Sequence, residues 1–149
     1  MGVDAGLVGR TYDAGGVFEV GRERIREFAD AIGDPNQAYR DPAAARALGH
    51  PDVVVPPTFP MILVFRGMER LLADPELGLA LSRLLHGDQR FVHTRPVVVG
   101  DRLTCTFTVG DVKQAAGMDV IGTRSEVVDA VGDLVTTAYT TLYHRPAEG

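Results

Sequence analysis

The residues best placed for chemistry lie in one short loop, Asp34-Pro-Asn36-Gln-Ala-Tyr39. A loop carboxylate can accept a proton, an amide can orient a ligand, and a phenol can donate. With an unperturbed pKa of about 10, tyrosine is a poor proton acceptor at neutral pH. The candidate catalytic set is therefore Asp34 as base and Tyr39 as proton donor, with Asn36 in support. His86, in the run His86-Gly-Asp-Gln89, is the alternative donor. Each has a plainer reading: Asp34 can form an Asx turn or neutralise Arg40, Tyr39 can be a packed loop aromatic, and His86 can be a surface histidine at a strand end.

The elements around the loop hold it at both ends. Ile25, Phe28, Ala29 and Ile32 follow the i, i+3, i+4, i+7 spacing of an amphipathic helix, so Gly33 falls where a left-handed C-terminal cap is expected. Asp41-Pro42 then supplies an N-cap and a first-turn proline for a short Ala-rich helix ending before Gly49. From about Thr58 to Leu72 a second helix is apolar on nearly every side at first and then on one face, which requires burial.

A brief strand at Val17–Val20 precedes the helices, and four strand-like runs follow them, near 86–94, 101–113, 118–129 and 134–144. In the second, Leu103, Cys105, Phe107 and Val109 alternate with threonines, the period-two signature of a sheet with one apolar face. Ala130–Asp133 and Gln114–Gly117 are the expected hairpin turns. The order predicts an α+β fold, an antiparallel sheet around one buried helix, in a single domain spanning 1–149.

Composition excludes more than it identifies. A net charge of −5 argues against a nucleic-acid partner. The single cysteine, Cys105, precludes an internal disulfide and a cysteine zinc site, and it falls on the apolar face of a strand, where a small buried hydrophobe is expected. His86 and His93 are seven apart, hence on opposite faces by strand parity, and no metal is expected. No phosphate loop follows the early glycines, so no cofactor is expected either. The N-terminus does not read as a signal peptide and Arg66 interrupts the most apolar segment, so a cytoplasmic protein without a membrane span is expected. Lys113 is the one lysine among 15 lysines and arginines, a usage expected of a GC-rich bacterial genome. His50, before Pro51, and His144, near the C-terminus, read as surface residues.

At Gly33, Asp34 and Asn36 the sequence resembles the MaoC-like (R)-specific enoyl hydratases and 3-hydroxyacyl dehydratases, a hot-dog-fold family whose motif is Gly-Asp-x-Asn-Pro-(aliphatic)-His. Gln37 stands at the proline, Ala38 at the small apolar place and Tyr39 at the histidine. The resemblance continues through Val53–Pro60, through Gln89–Leu103 and into a Thr-rich last strand. It is nearest to the non-catalytic, substrate-shaping subunits of two-chain dehydratases, the FAS1-like dehydratase N-terminal domains.

The family's Asp and His hold the water and exchange the α-proton of an acyl thioester, so the change to Tyr39 removes the base. Catalytic members also open the central helix with a His-Gly turn whose N–H polarises the thioester carbonyl. Here Pro56, Pro57 and Pro60 have no N–H, leaving Thr58 and Phe59 as donors. The resemblance implies that Thr58, Phe59, Leu63, His86 and Gln89 bind substrate, an acyl-CoA or acyl-ACP, with the segment Gln89–His93 lining the tunnel. It also implies that the chain works as a homodimer or as a heterodimer with a catalytic hot-dog subunit. The alternatives are a self-sufficient homodimeric hydratase using Asp34, an acyl thioesterase, and a cone-shaped ligand-binding domain with three helices before its sheet.

Overall fold

The computed structural model describes residues 2–148. Strands β1 (Thr11–Asp13) and β2 (Phe18–Glu19) lead into helices α1 (Arg22–Ala31), α2 (Pro42–Ala47) and α3 (Met61–Ala73). Strands β3 (Leu84–His93), β4 (Arg102–Ala115), β5 (Met118–Val128) and β6 (Leu134–His144) follow. The sheet is antiparallel, in the order β1-β4-β5-β6-β3, with β2 paired beside β1 on β4. The expected α+β arrangement, one sheet against one buried helix, is present.

The alternation in β4 works as its pattern requires: Leu103, Cys105, Phe107 and Val109 are all buried. The β4–β5 hairpin closes at Ala116 (φ 52°) and Gly117 (φ 76°), two left-handed residues whose twist matches the flanking strands. α3 lies across β1, β4 and β5. It packs Val64, Met68 and Leu71 onto Phe107, Ile121 and Leu142. Contact is closest at Gly67, where a Cβ would stand 2.5 Å from Phe107 Cβ. A second apolar cluster fills the end of the molecule nearest the loop, around Phe59, with Phe18 and Phe28 edge-on to its ring at 6.1 and 5.3 Å.

Several sequence expectations change on inspection. α3 starts at Met61 rather than Thr58, because Pro56–Pro60 fold into tight turns. Ile32 is the C-terminal cap of α1 and half exposed, not part of its buried face. β1 was not expected; three residues carry too little periodicity to read. His144 is not a surface residue. It is 3% exposed in β6, with Nε2 accepting from the Ala80 N–H (3.2 Å) and Nδ1 facing the buried Asp119 carboxylate at 3.5 Å.

The parity argument for His86 and His93 also fails, because β3 carries a bulge between His86 and Asp88. One extra residue returns both histidines to the helix-side face. Six strand positions still hold them about 20 Å apart.

Candidate functional site

The loop between α1 and α2 is fixed by backbone hydrogen bonds. Gly33 takes the left-handed conformation (φ 71°), and the N–H groups of Gly33 and Asp34 return to the carbonyls of Asp30 and Ala29. Asp34 Oδ1 accepts from the Asn36 N–H (3.0 Å), and Asn36 Oδ1 accepts from the Ala38 N–H (3.0 Å). These stacked Asx turns present Ala38 and Tyr39 inward, both buried. The Arg40 guanidinium does not pair with the Asp34 carboxylate. It donates to the carbonyls of Asn36 and Asp34 and to Asp30 (2.8 Å), clamping the loop onto α1.

Beneath the loop lies a cavity of about 340 Å³. Apolar walls come from Ala38, Leu48, Val54, Val55, Pro57 and Pro60, and polar groups from Asn36, Tyr39, His50, His93 and Arg95. Two distant segments meet there because Val54 bridges Val98, with the Val55 N–H on the Val97 carbonyl (3.1 Å) and the Val99 N–H on the Val53 carbonyl (2.9 Å). His50 and the run His93–Val97 thereby reach one wall.

His93 is held from behind by Thr136 Oγ1 at 2.9 Å from Nδ1, and its ring stacks on Phe91 at 5.7 Å. Arg95 is not free to bind an anion: it pairs with Asp101 (2.8 Å) and Asp129 (3.3 Å). Burial, followed by the negative charge of Asp34, raises the Tyr39 phenol above its ordinary value, so at neutral pH it is a donor.

Of the residues singled out from sequence, the cavity brings together Tyr39 and Asn36. Asp34 sits half-buried behind them, its Oδ1 accepting from the Asn36 N–H. Phe59 and Leu63 are about 1% exposed within the core, and Thr58 is exposed at the helix start. His86 and Gln89 lie on β3 away from the cavity lining, joined at 3.1 Å.

His50 is a cavity residue that sequence reasoning placed at the surface, and His93 is the one member of the segment Gln89–His93, expected to line the tunnel, that does line the cavity. The available signal was the pair of proline-ended segments, His50-Pro51 and His93-Thr-Arg-Pro96, flanking valine runs that pair. Of the two backbone donors expected before the central helix, the Phe59 N–H is committed to the Pro56 carbonyl (2.9 Å), and the N–H groups of Met61 and Ile62 that follow bond to the carbonyls of Thr58 and Phe59. Among the described residues no group of three or more His, Cys, Asp or Glu could hold a metal ion. No described helix is long and apolar enough to cross a membrane.

Comparison with known proteins converges on one family. Residues 6–138 match the model of the FAS1-like, dehydratase domain region. A UPF0336 protein of Streptomyces avermitilis is 52% identical over 148 residues, 99% of each chain. Among solved structures, the C-terminally truncated HadBC (3R-hydroxyacyl-ACP dehydratase) complex of Mycobacterium tuberculosis contains a chain 32% identical. It superimposes with a TM-score of 0.83 over 96% of this chain and 99% of that one. A MaoC-like dehydratase is 30% identical with a TM-score of 0.86, covering 95% of this chain and 43% of that longer one. The fold is that of these hot-dog dehydratases.

Proposed function

This chain belongs to the FAS1-like dehydratase region family, and from that premise we propose that it is the substrate-binding subunit of a two-chain (R)-3-hydroxyacyl thioester dehydratase of fatty-acid metabolism. The acyl thioester, on CoA or on an acyl carrier protein, occupies the cavity around Tyr39. Dehydration moves the α-proton to a base, breaks the C3–O bond and delivers a proton to the departing hydroxyl, while negative charge gathers on the thioester oxygen. The observation that carries the reading is the chemistry of the cavity: its walls suit an acyl chain, yet where the family's histidine would accept a proton it offers a phenol kept protonated. One oxygen of the Asp34 carboxylate is engaged by backbone, and the N–H groups of Phe59, Met61 and Ile62 are spent in turns. A catalytic hot-dog partner therefore supplies Asp and His. The relative in the HadBC complex, itself one chain of a heteromeric dehydratase, supports this division of labour.

A self-sufficient enzyme is the second reading, favoured by the two imidazoles, His50 and His93, on the cavity wall. Co-expression separates the two. The chain alone should dehydrate (R)-3-hydroxyacyl thioesters barely above background. Activity should appear with a partner bearing Asp and His, and Asp34→Ala in this chain should leave that turnover within about threefold of wild type, as expected of a residue outside the chemical step. Full activity of the isolated chain, lost in Asp34→Ala or His93→Ala, would select the second reading.

A further inference from the structure

We infer that His144 is a pH-sensitive latch: with its ring neutral it holds the connection from α3 to β3 through the Ala80 N–H, and on taking up a proton it releases that connection. Among the described residues Asp119 and His144 are the one carboxylate and the one imidazole that are buried, at 1% and 3% exposure. They stand opposite each other on β5 and β6, outside the lining of the cavity. The device is independent of thioester binding.

The hydrogen bonds fix the state of the ring. The Ala80 N–H donates to Nε2 at 3.2 Å, and a ring nitrogen that accepts carries no proton. The proton of the neutral ring is therefore on Nδ1, the atom that faces Asp119 Oδ2 at 3.5 Å. Asp119 is held in turn, its Oδ1 accepting from the Val3 N–H (3.1 Å) and from the Gln114 amide. The N-terminal arm, the α3–β3 connection, the β4–β5 hairpin and the end of β6 thus meet at one buried pair.

A proton on Nε2 sets two N–H donors against each other, so the Ala80 bond must break. The same proton turns the contact between Nδ1 and Oδ2 into an ion pair inside the protein, where opposite charges attract more strongly than in water. Asp119 stabilises the charged ring and Ala80 admits only the neutral one, so protonation exchanges one partner for the other. The charged groups on the surrounding elements leave the ring alone. Asp4 of the N-terminal arm is exposed and accepts from the Gly6 N–H, Arg83 donates to the Arg145 carbonyl (3.1 Å), and Arg145 itself is exposed. Leu84, opposite His144 on β3, is uncharged. Residues 74–83 carry Leu77 and Leu79 onto the helix–sheet core and lead directly into β3. Once Ala80 is released, the connection keeps its anchor at Asp74 and loses the one beside β3.

The test is hydrogen exchange on the wild-type chain at pH 7.5 and pH 5, the span in which imidazoles ordinarily change charge. After correction for intrinsic exchange, protection of the Ala80 amide should fall by about tenfold or more at pH 5, while that of the β4–β5 ladder stays constant. Asp74, the other titratable anchor, is held below the ordinary carboxylate range by Tyr12 and keeps its charge throughout. His144→Gln offers Ala80 an acceptor at every pH and should abolish the fall, with the other three histidines still present. Nitrogen NMR of the wild-type ring provides a readout that needs no variant. At pH 7.5 Nε2 should be unprotonated and Nδ1 protonated, and at pH 5 both should carry protons, with the Ala80 amide signal moving in step. A protection factor that is flat from pH 7.5 to 5, an equal fall in His144→Gln, or an Nε2 still unprotonated at pH 5 would overturn the inference.

Discussion

At the C-terminal end of α3 both oxygens of the capping carboxylate have partners within the chain, whereas at the N-terminal end three polar side chains face a void. Asp74, the C-cap, accepts from Tyr12 Oη (2.6 Å), Arg10 (2.9 Å) and the Glu76 N–H (3.0 Å), and Arg10 also reaches Glu76. At the other end Pro56–Pro60 close their own turns. The phenol of Tyr39 and the imidazoles of His50 and His93 line a cavity that no side chain fills. One helix thus has an end clasped by ion pairs and hydrogen bonds and an end that opens on a cavity. Substitutions at the first should cost folding and spare the site, and substitutions at the second should do the reverse.

The largest expected effect is on the helix–sheet contact that both ends depend on. Gly67→Ala gains about 1 kcal/mol of helix propensity but drives a methyl group into Phe107, and overpacking of a fitted core costs about 1–3 kcal/mol. Thermal denaturation should show a net loss. An unchanged or raised Tm would mean that α3 lifts off the sheet without penalty.

A smaller, pH-dependent effect is expected at the closed end. Hydrogen bonding from Tyr12, aided by the Glu76 N–H and Arg10, lowers the Asp74 pKa below its ordinary value. A carboxylate depressed in the folded state contributes stability above its unfolded pKa of about 3.9 and loses it as the pH falls through the folded value. Asp74→Asn should therefore lower Tm at pH 7, and the gap to wild type should close as the pH drops below about 4. Tyr12 mirrors this, since burial and then Asp74 push its phenol up to about 12. Its contribution, present below about pH 10, is lost as the pH rises toward 12. A Tm gap that is flat from pH 7 to pH 3 would contradict the clasp.

The smallest effect on stability is expected at the open end. Leu48 is 64% exposed and forms part of the cavity wall. Leu48→Trp should leave Tm nearly unchanged, since exposed positions usually shift stability by less than about 0.5 kcal/mol, yet reduce affinity for an acyl thioester. Leu63→Trp, by contrast, would strain the core, where Leu63 is buried among Phe59 and its neighbours. A Leu48→Trp protein that binds as wild type would place the ligand elsewhere.

The sequence foretold these two ends unequally, for physical reasons. Local chemistry was legible: the Gly33 cap, the Asp41-Pro42 helix start and the β4 alternation each depend on neighbours within a few residues, and all are present. The hairpin at Ala130–Asp133 likewise closes, with Asp129 accepting from Val131 and Asp133. The cavity wall was only partly legible: the resemblance pointed to the segment ending at His93, but His50 joins it through the Val54–Val98 bridge, a contact between segments about forty residues apart. The bulge at Gly87 was equally silent, since parity along a strand assumes no inserted residue. Tyr39 was found because its partners Asp34 and Asn36 lie within five positions of it.

The most direct test of the account asks whether binding and chemistry separate in this one chain. The purified protein is titrated calorimetrically with crotonyl-CoA and with crotonyl-ACP, and loss of the enoyl absorbance is followed in the same samples. Saturable binding of at least one thioester, with hydration no faster than in protein-free buffer, is the predicted result. Rapid hydration by the chain alone, or no binding of either thioester, would contradict it.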